Sequence, residues 1–357
     1  MYTLLGYLVL FFLVWLVYLH VFYQWKTSND PDIYEVALDD IRKERFESLL
    51  DLRQPVLCER VEAVFPVLSA LPSWQTLAAD VHVRSVRPVE VSEGAQPERY
   101  VPLAAAAAVL LFQKDDTSDY FTEHNSDLLE ESGVTALLRR EDAFLAPPLV
   151  SQRQYDLLAG SAGTMTPLRY EVSYRTFFLV TKGSVTFRLA PPKSSPHLRP
   201  RPDYLHWEFG CDPASDPWKD KAAEMRELVV PAGRMLSLPP YWWYSIRFAD
   251  AKATVLVLSY KTYMNQLVLA PASALYYLQN SQVVRDTYRR APNTKEVYVE
   301  EGGGGGGGGS GGIIGPTKAE NTDTDAREEA QAKEEAQGEA DTQGEAQPEP
   351  DADVQPI

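Results

Sequence analysis

Arg169 and Glu171 stand two positions apart in the stretch Thr166-Pro167-Leu168-Arg169-Tyr170-Glu171. Side chains at i and i+2 of a strand share one face, so both point into the same space. If that space is a protein interior, each charge needs a partner, because an unpaired buried charge is costly. A mutual Arg169–Glu171 pair with the Tyr244 hydroxyl nearby, extended by Tyr174 and Arg175, would meet that need. The other chemistry open to them is recognition. A guanidinium keeps its proton and offers a rigid fork of donors, so Arg169 could hold an anionic small ligand such as a carboxylate. The histidines are less promising as metal ligands. His206-Trp207-Glu208 has His-x-Glu spacing, but it follows a Pro-rich loop and no third ligand is evident, so it reads as an edge strand. His124, just ahead of a helix, reads as a solvated loop residue. Cys58 and Cys211 lack a Cys-x-x-Cys neighbour and read as core or loop residues.

Short strands must position these residues. Candidates are Val56–Glu59, Val81–Val86, Ala104–Phe112, Phe177–Val180, Val185–Leu189, Leu228–Val230, Arg234–Leu238 and Thr254–Tyr260, with turn residues between them. Helical stretches are expected at Trp74–Ala79, at Ser126–Ser132 up to Gly133, and at Met264–Gln279 with a break at Pro271. Many short strands separated by Gly and Pro imply a sandwich or barrel and not a parallel α/β sheet.

Two blocks narrow the fold: GTMTPLRYEVSYRTFFLVTKGSVTFRLAPP from Gly163 to Pro192, and VVPAGRMLSLPPYWWYSIRF from Val229 to Phe248. They resemble the JmjC-type branch of the cupin superfamily over about 100 residues, and more loosely over Pro55–Gln279. The resemblance implies a mostly β domain, a double-stranded β-helix of jelly-roll type with flanking helices. It also implies an Fe(II) site built from two histidines and a carboxylate, open to 2-oxoglutarate and oxygen. Here the three ligand positions read Arg169, Glu171 and Tyr244, so one potential ligand of three remains. Thr166 matches a residue that can bind 2-oxoglutarate in that family. The basic residue of the next strand is replaced near Val185, with Lys182 in the preceding turn. Together with Tyr174 and Trp242 these residues outline the candidate pocket. The implied domain is a non-catalytic binding or scaffold module without a resident cofactor. The alternative is a divergent Fe(II)/2-oxoglutarate-dependent dioxygenase of hydroxylase or demethylase type. Tyr241-Trp242-Trp243-Tyr244-Ser245-Ile246 and Tyr260-Lys261-Thr262-Tyr263-Met264-Asn265 are most similar to membrane-anchored cupin-like proteins of large DNA viruses and algae, which carry Arg and Tyr at the same ligand positions.

Leu4–Tyr23 is twenty residues without Asp, Glu, Lys or Arg. As a helix it spans about 30 Å, the thickness of a bilayer's hydrocarbon layer. A basic n-region and a small-residue cleavage site are absent, so it reads as an uncleaved single-pass anchor and not a signal peptide. Lys26, Arg42 and Lys43 on its C-terminal flank, the lack of any N-x-[ST] site and the presence of only two cysteines favour a cytoplasmic domain. The expected organisation is an anchor at 1–26, a juxtamembrane helix at 27–54 starting at Asp30-Pro31, the cupin-like domain at 55–282, an extension at 283–300, and a Gly-rich linker with a disordered acidic tail at 301–357. The tail carries about −10 of the net −16. No basic face remains for nucleic acid. The expected partners are the membrane, through Leu4–Tyr23, and an anionic small ligand or a protein.

Overall fold

Residues 4–23 offer bulky apolar side chains and no charge, and the structure gathers them into one N-terminal helix, α1 (Tyr2–Gln24). It is long and apolar enough to cross a membrane, with mean hydropathy 2.3 over Thr3–Gln24 and none of that window buried against protein. This is a computed structural model, and it describes residues 2–66, 68, 71–77, 79–86, 100–204, 207–211 and 224–282. The linker, the acidic tail, His206 and the extension at 283–300 lie outside the described residues.

After α1 the chain forms β1 (Tyr34–Ala37), α2 (Lys43–Leu50), β2 (Val56–Glu59), β3 (Asp80–Ser85), β4 (Val101–Ala104), α3 (Ala105–Lys114), β5 (Tyr120–Thr122), α4 (Ser126–Glu131), α5 (Val134–Glu141) and β6 (Val150–Gly160). It continues through β7 (Arg169–Tyr170), β8 (Arg175–Lys182), β9 (Ser184–Ala190), α6 (Ser195–Leu198), β10 (Pro200–Asp203), β11 (Glu208–Cys211), β12 (Arg226–Pro231), β13 (Met235–Leu238), β14 (Trp243–Phe248), β15 (Thr254–Thr262) and α7 (Tyr263–Gln282).

The strands form two sheets. One has the order β1-β2-β13-β8-β15-β6-β5-β3-β4, the other β10-β11-β7-β14-β9-β12. Strand β8 shows how the layers stack. Its sequence Phe177-Phe178-Leu179-Val180 is apolar on both faces, and all four residues are buried. Phe178 and Val180 join Phe187, Tyr244, Ile246 and Phe248 of the six-stranded sheet in one core. Phe177 and Leu179 face the other way and join Phe46, Trp74, Phe112 and Leu138 from the flanking helices. Period-two alternation thus splits one apolar run between two cores. The β8–β9 turn depends on Gly183, whose φ is +67° and where a Cβ would come within 2.8 Å of the Ala253 Cα.

Several expectations change. The helix expected through 27–54 is instead strand β1 followed by the short helix α2. Tyr34-Glu35-Val36-Ala37 pairs in parallel with β2, and the Asp30 carboxylate accepts the Asp32 N–H in a local turn instead of capping a helix. The strand expected at Ala104–Phe112 is helix α3. Its run of alanines has high helix propensity, and Ala105, Ala108 and Phe112 are buried at helical spacing. The helix at Trp74–Ala79 is only a single turn, Trp74–Thr76. Pro271 does not break α7, which runs through it. Strand β11 is not an edge, because β10 and β7 flank it.

Candidate functional site

Strand β7 has only two residues, and it brings Arg169 opposite Tyr244 of β14. Glu171 follows just beyond the strand end. The three residues line one cavity of about 80 Å³, together with Asp156, Trp207 and Lys261. That space would hold about five waters or a ligand of a few heavy atoms.

The Tyr244 hydroxyl sits between the two charges. It accepts from Arg169 Nε at 3.1 Å and donates to Glu171 Oε1 at 2.7 Å. The Tyr244 hydroxyl expected beside an Arg169–Glu171 pair therefore bridges the two instead of flanking a direct contact. The ion pair of Arg169 goes instead to Glu123, with Nη1 2.6 Å from Oε2. Glu123 directly follows β5, across the cavity from β7, so only the fold brings the two together. Its other oxygen lies 3.2 Å from Arg84 Nη1, which is also 2.9 Å from Glu208 Oε1. The Tyr100 hydroxyl lies 2.8 Å from both carboxylates. The result is a continuous cluster of Arg84, Tyr100, Glu123, Arg169, Glu208 and Tyr244, ending on Glu171.

The titration behaviour follows from this arrangement. Burial pushes the Glu123 carboxyl up, but Arg169, with His124 and Arg84, outweighs it and holds the group below the usual range. Burial likewise works against ionisation of Glu208, yet His124, whose Nε2 lies 3.9 Å from Oε1, and the two arginines depress it strongly. His124 moves the other way. Burial lowers it, but the nearby Glu208 carboxylate and the charges of Glu123 and Asp156 raise it overall. It is not a merely solvated loop residue. A raised histidine contributes stability that is present below its ordinary value and lost as pH rises through the raised one. Partial exposure of the ring keeps the effect small. The thermal midpoint is expected to fall by about 1–3 °C between about pH 6.5 and pH 8, and His124→Gln should flatten that slope. A pH series of calorimetric scans on both proteins checks this; equal slopes would count against the His124–Glu208 contact.

The other residues of the outlined pocket lie elsewhere. Thr166 is buried as a stitch to β14: its Oγ1 accepts the Ile246 N–H and its carbonyl accepts the Ser245 hydroxyl. Tyr174 lines a different, smaller hollow. Lys182 donates to Ser73 Oγ at 2.8 Å. Trp242 is packed in the inter-sheet core. Nothing in the local sequence marks Glu123, Arg84, Tyr100 or Glu208 as partners of Arg169, since they come from the end of β5, β3, the approach to β4 and β11. Lys261 belongs to the 260–265 stretch that carries part of the resemblance. Its ammonium lies 5.1 Å from the Trp207 ring centroid and has no ion-pair partner among the described residues. Burial lowers its pKa against the opposing pull of Glu171.

An Fe(II) centre does not fit the three aligned positions. Arginine has no lone pair to give, its guanidinium is engaged by Glu123 and Tyr244, and Tyr244 is neutral, because burial raises its phenol well above the ordinary value. Glu123, His124 and Glu208 do bring one ligand atom each within 4.8 Å of one another. Both carboxylates are already neutralised by Arg84 and Arg169, so a dication there would face two fixed positive charges. The cluster is an ion-pair network in which Arg84 and Arg169 face Glu123 and Glu208, and Glu171 is reached through the Tyr244 hydroxyl. No family model and no curated protein matches this sequence.

Proposed function

We propose that this chain is a membrane-tethered, non-catalytic binding module with a cupin-like, double-stranded β-helix domain. The strand order supports the fold reading. β6-β15-β8-β13 form the centre of one sheet and β7-β14-β9-β12 form most of the other, so β6 to β9 and β12 to β15 alternate between sheets as a jelly roll does. The length and apolarity of α1 support the tether, and Lys26, Arg42 and Lys43 favour a domain on the cytoplasmic face.

The observation that carries the function is the Tyr244 hydroxyl bridging Arg169 and Glu171. It fills the place of a metal with a closed set of hydrogen bonds. Arg169 is committed to protein partners, so the cation left for an anionic small ligand in the cavity is Lys261, with Trp207 as an aromatic wall. The purified full chain, incubated with Fe(II) and 2-oxoglutarate, is expected to retain no stoichiometric iron by elemental analysis and to release no succinate. Stoichiometric iron that disappears in Glu171→Gln would overturn the reading in favour of a dioxygenase.

A further inference from the structure

A second pair of arginines lies outside that cavity, where the end of α1 meets the domain. Arg53 is 3% exposed and Arg175 is 5% exposed. With Gln54, Tyr174, Ser237 and Asp51 they line a hollow of about 10 Å³. Arg53 Nη1 donates to the Tyr174 carbonyl at 3.3 Å, but its Nε and Nη2, and Arg175 Nη1, are buried without a hydrogen-bond partner. The neighbouring acids do not supply one. Glu47 Oε1, itself buried without a hydrogen-bond partner, stands 3.7 Å from Arg175 Nη1, and Asp51 Oδ1 stands 3.9 Å from Nη2, both beyond hydrogen-bond reach. The aromatic neighbours serve the faces of the guanidiniums and not their edges. The Arg53 Cζ lies 4.7 Å from the Tyr174 centroid and 5.5 Å from Tyr23, and the Arg175 Cζ lies 5.3 Å from Tyr174.

Buried donors without acceptors are costly, and three of them belong to the two arginines that line a space the size of one oxygen atom. A phosphodiester can insert one oxygen into such a space while its bulk stays outside. Tyr23 is the last aromatic residue of the apolar helix, and such rings sit at headgroup depth. Arg53, stacked on it, therefore stands level with lipid phosphates and not out in the aqueous phase. Asp51, which lines the hollow, and Glu47 beside Arg175 repel a dianion but suit a ligand that carries its own cation.

We propose that Arg53 and Arg175 bind the phosphate of a phosphatidylethanolamine headgroup whose ammonium faces Asp51. This rests on the reading of α1 as a membrane span. The full chain in detergent is titrated separately with dihexanoyl phosphatidylethanolamine, dihexanoyl phosphatidylglycerol and inorganic phosphate, followed by native mass spectrometry. Wild type is expected to prefer the ethanolamine lipid, and Arg53→Gln to bind it about tenfold more weakly or worse. Should Arg53→Gln fail to fold by circular dichroism, Asp51→Asn decides, since its side chain is substantially exposed. It should weaken the ethanolamine lipid and strengthen phosphatidylglycerol. Binding of inorganic phosphate alone, binding of neither lipid, or lipid affinities unmoved by Asp51→Asn would overturn the proposal. Alkaline extraction of membranes carrying the full chain tests the tether separately: release without detergent would remove the membrane reading, whatever the titrations show.

Discussion

Arg169→Met is expected to destabilise the domain by about 3–5 kcal/mol, because it leaves Glu123 as a buried charge without its main partner. Glu123 is 1% exposed, and its Oε2 faces only the Arg169 guanidinium at 2.6 Å. Arg84 and Tyr100 serve the other oxygen and cannot turn to replace that contact without leaving Glu208. The pH dependence carries a sign that identifies the mechanism. In wild type the Glu123 carboxyl is held below its ordinary range despite burial, so its contribution is present above the unfolded pKa and lost as pH falls through the folded one. In Arg169→Met burial is opposed only by weaker positive charges, and the carboxyl rises. The deficit should then grow as pH rises through the carboxylate range and shrink in acid. Arg169→Met/Glu123→Gln, which removes both charges, should recover most of the loss, giving a coupling energy between the two sites. Denaturant unfolding of the full chain in detergent, read by circular dichroism at several pH values, measures each term. A neutral Arg169→Met, or a double variant no better than the single, would show that the pair does not carry the stability assigned to it.

How far this pair could be read in advance depends on what a strand encodes locally. Strands β2, β8, β9, β12, β13 and β15 were legible because apolar and β-branched runs between turn residues leave few alternatives. The shared facing of Arg169 and Glu171 was legible for the same reason, since period two is a local rule. The partner was not. Glu123 lies 46 positions away, in a segment whose residues favour a loop, and nothing local tells its charge from any solvated carboxylate. Tyr34–Ala37 failed for a related reason: its apolar spacing suits a helix, but an open edge on β2 offered ladder hydrogen bonds that outweigh the pattern. At Ala104–Phe112 the apolar content suits a strand, but its alanines favour a helix on propensity alone. Long-range pairing decides in each of the first two cases, and that information resides in the sheet order.

The loop that presents Glu123 to Arg169 is itself held by a carboxylate, and cutting that support is the second large effect expected. Asp156, on β6, accepts the backbone N–H of Asn125 at 2.6 Å and of Leu157 at 2.7 Å on Oδ1, and of His124 at 2.9 Å on Oδ2. Asp156→Ala leaves all three donors without an acceptor. At ~1–3 kcal/mol for each buried donor, with the His124 N–H able to turn to solvent, the cost is about 2–6 kcal/mol. Because the same bonds fix Glu123 and His124, this loss should not add to that of Arg169→Met: the loop would already be free to withdraw the carboxylate. Asp156→Asn keeps one acceptor and should cost less. Its pH profile separates it further. Burial raises the Asp156 carboxyl above its ordinary value, against the pull of His124 and the backbone donors. A raised group contributes stability that is present below the unfolded pKa and lost as pH rises through the folded one. The advantage of wild type over Asp156→Asn should therefore be largest in acid and shrink towards neutrality, a different pH signature from that of the arginine variant. Unfolding curves for Asp156→Ala, Asp156→Asn and the Asp156→Ala/Arg169→Met double variant test both claims, and strict additivity would mean that the β5–α4 loop holds Glu123 in place without Asp156.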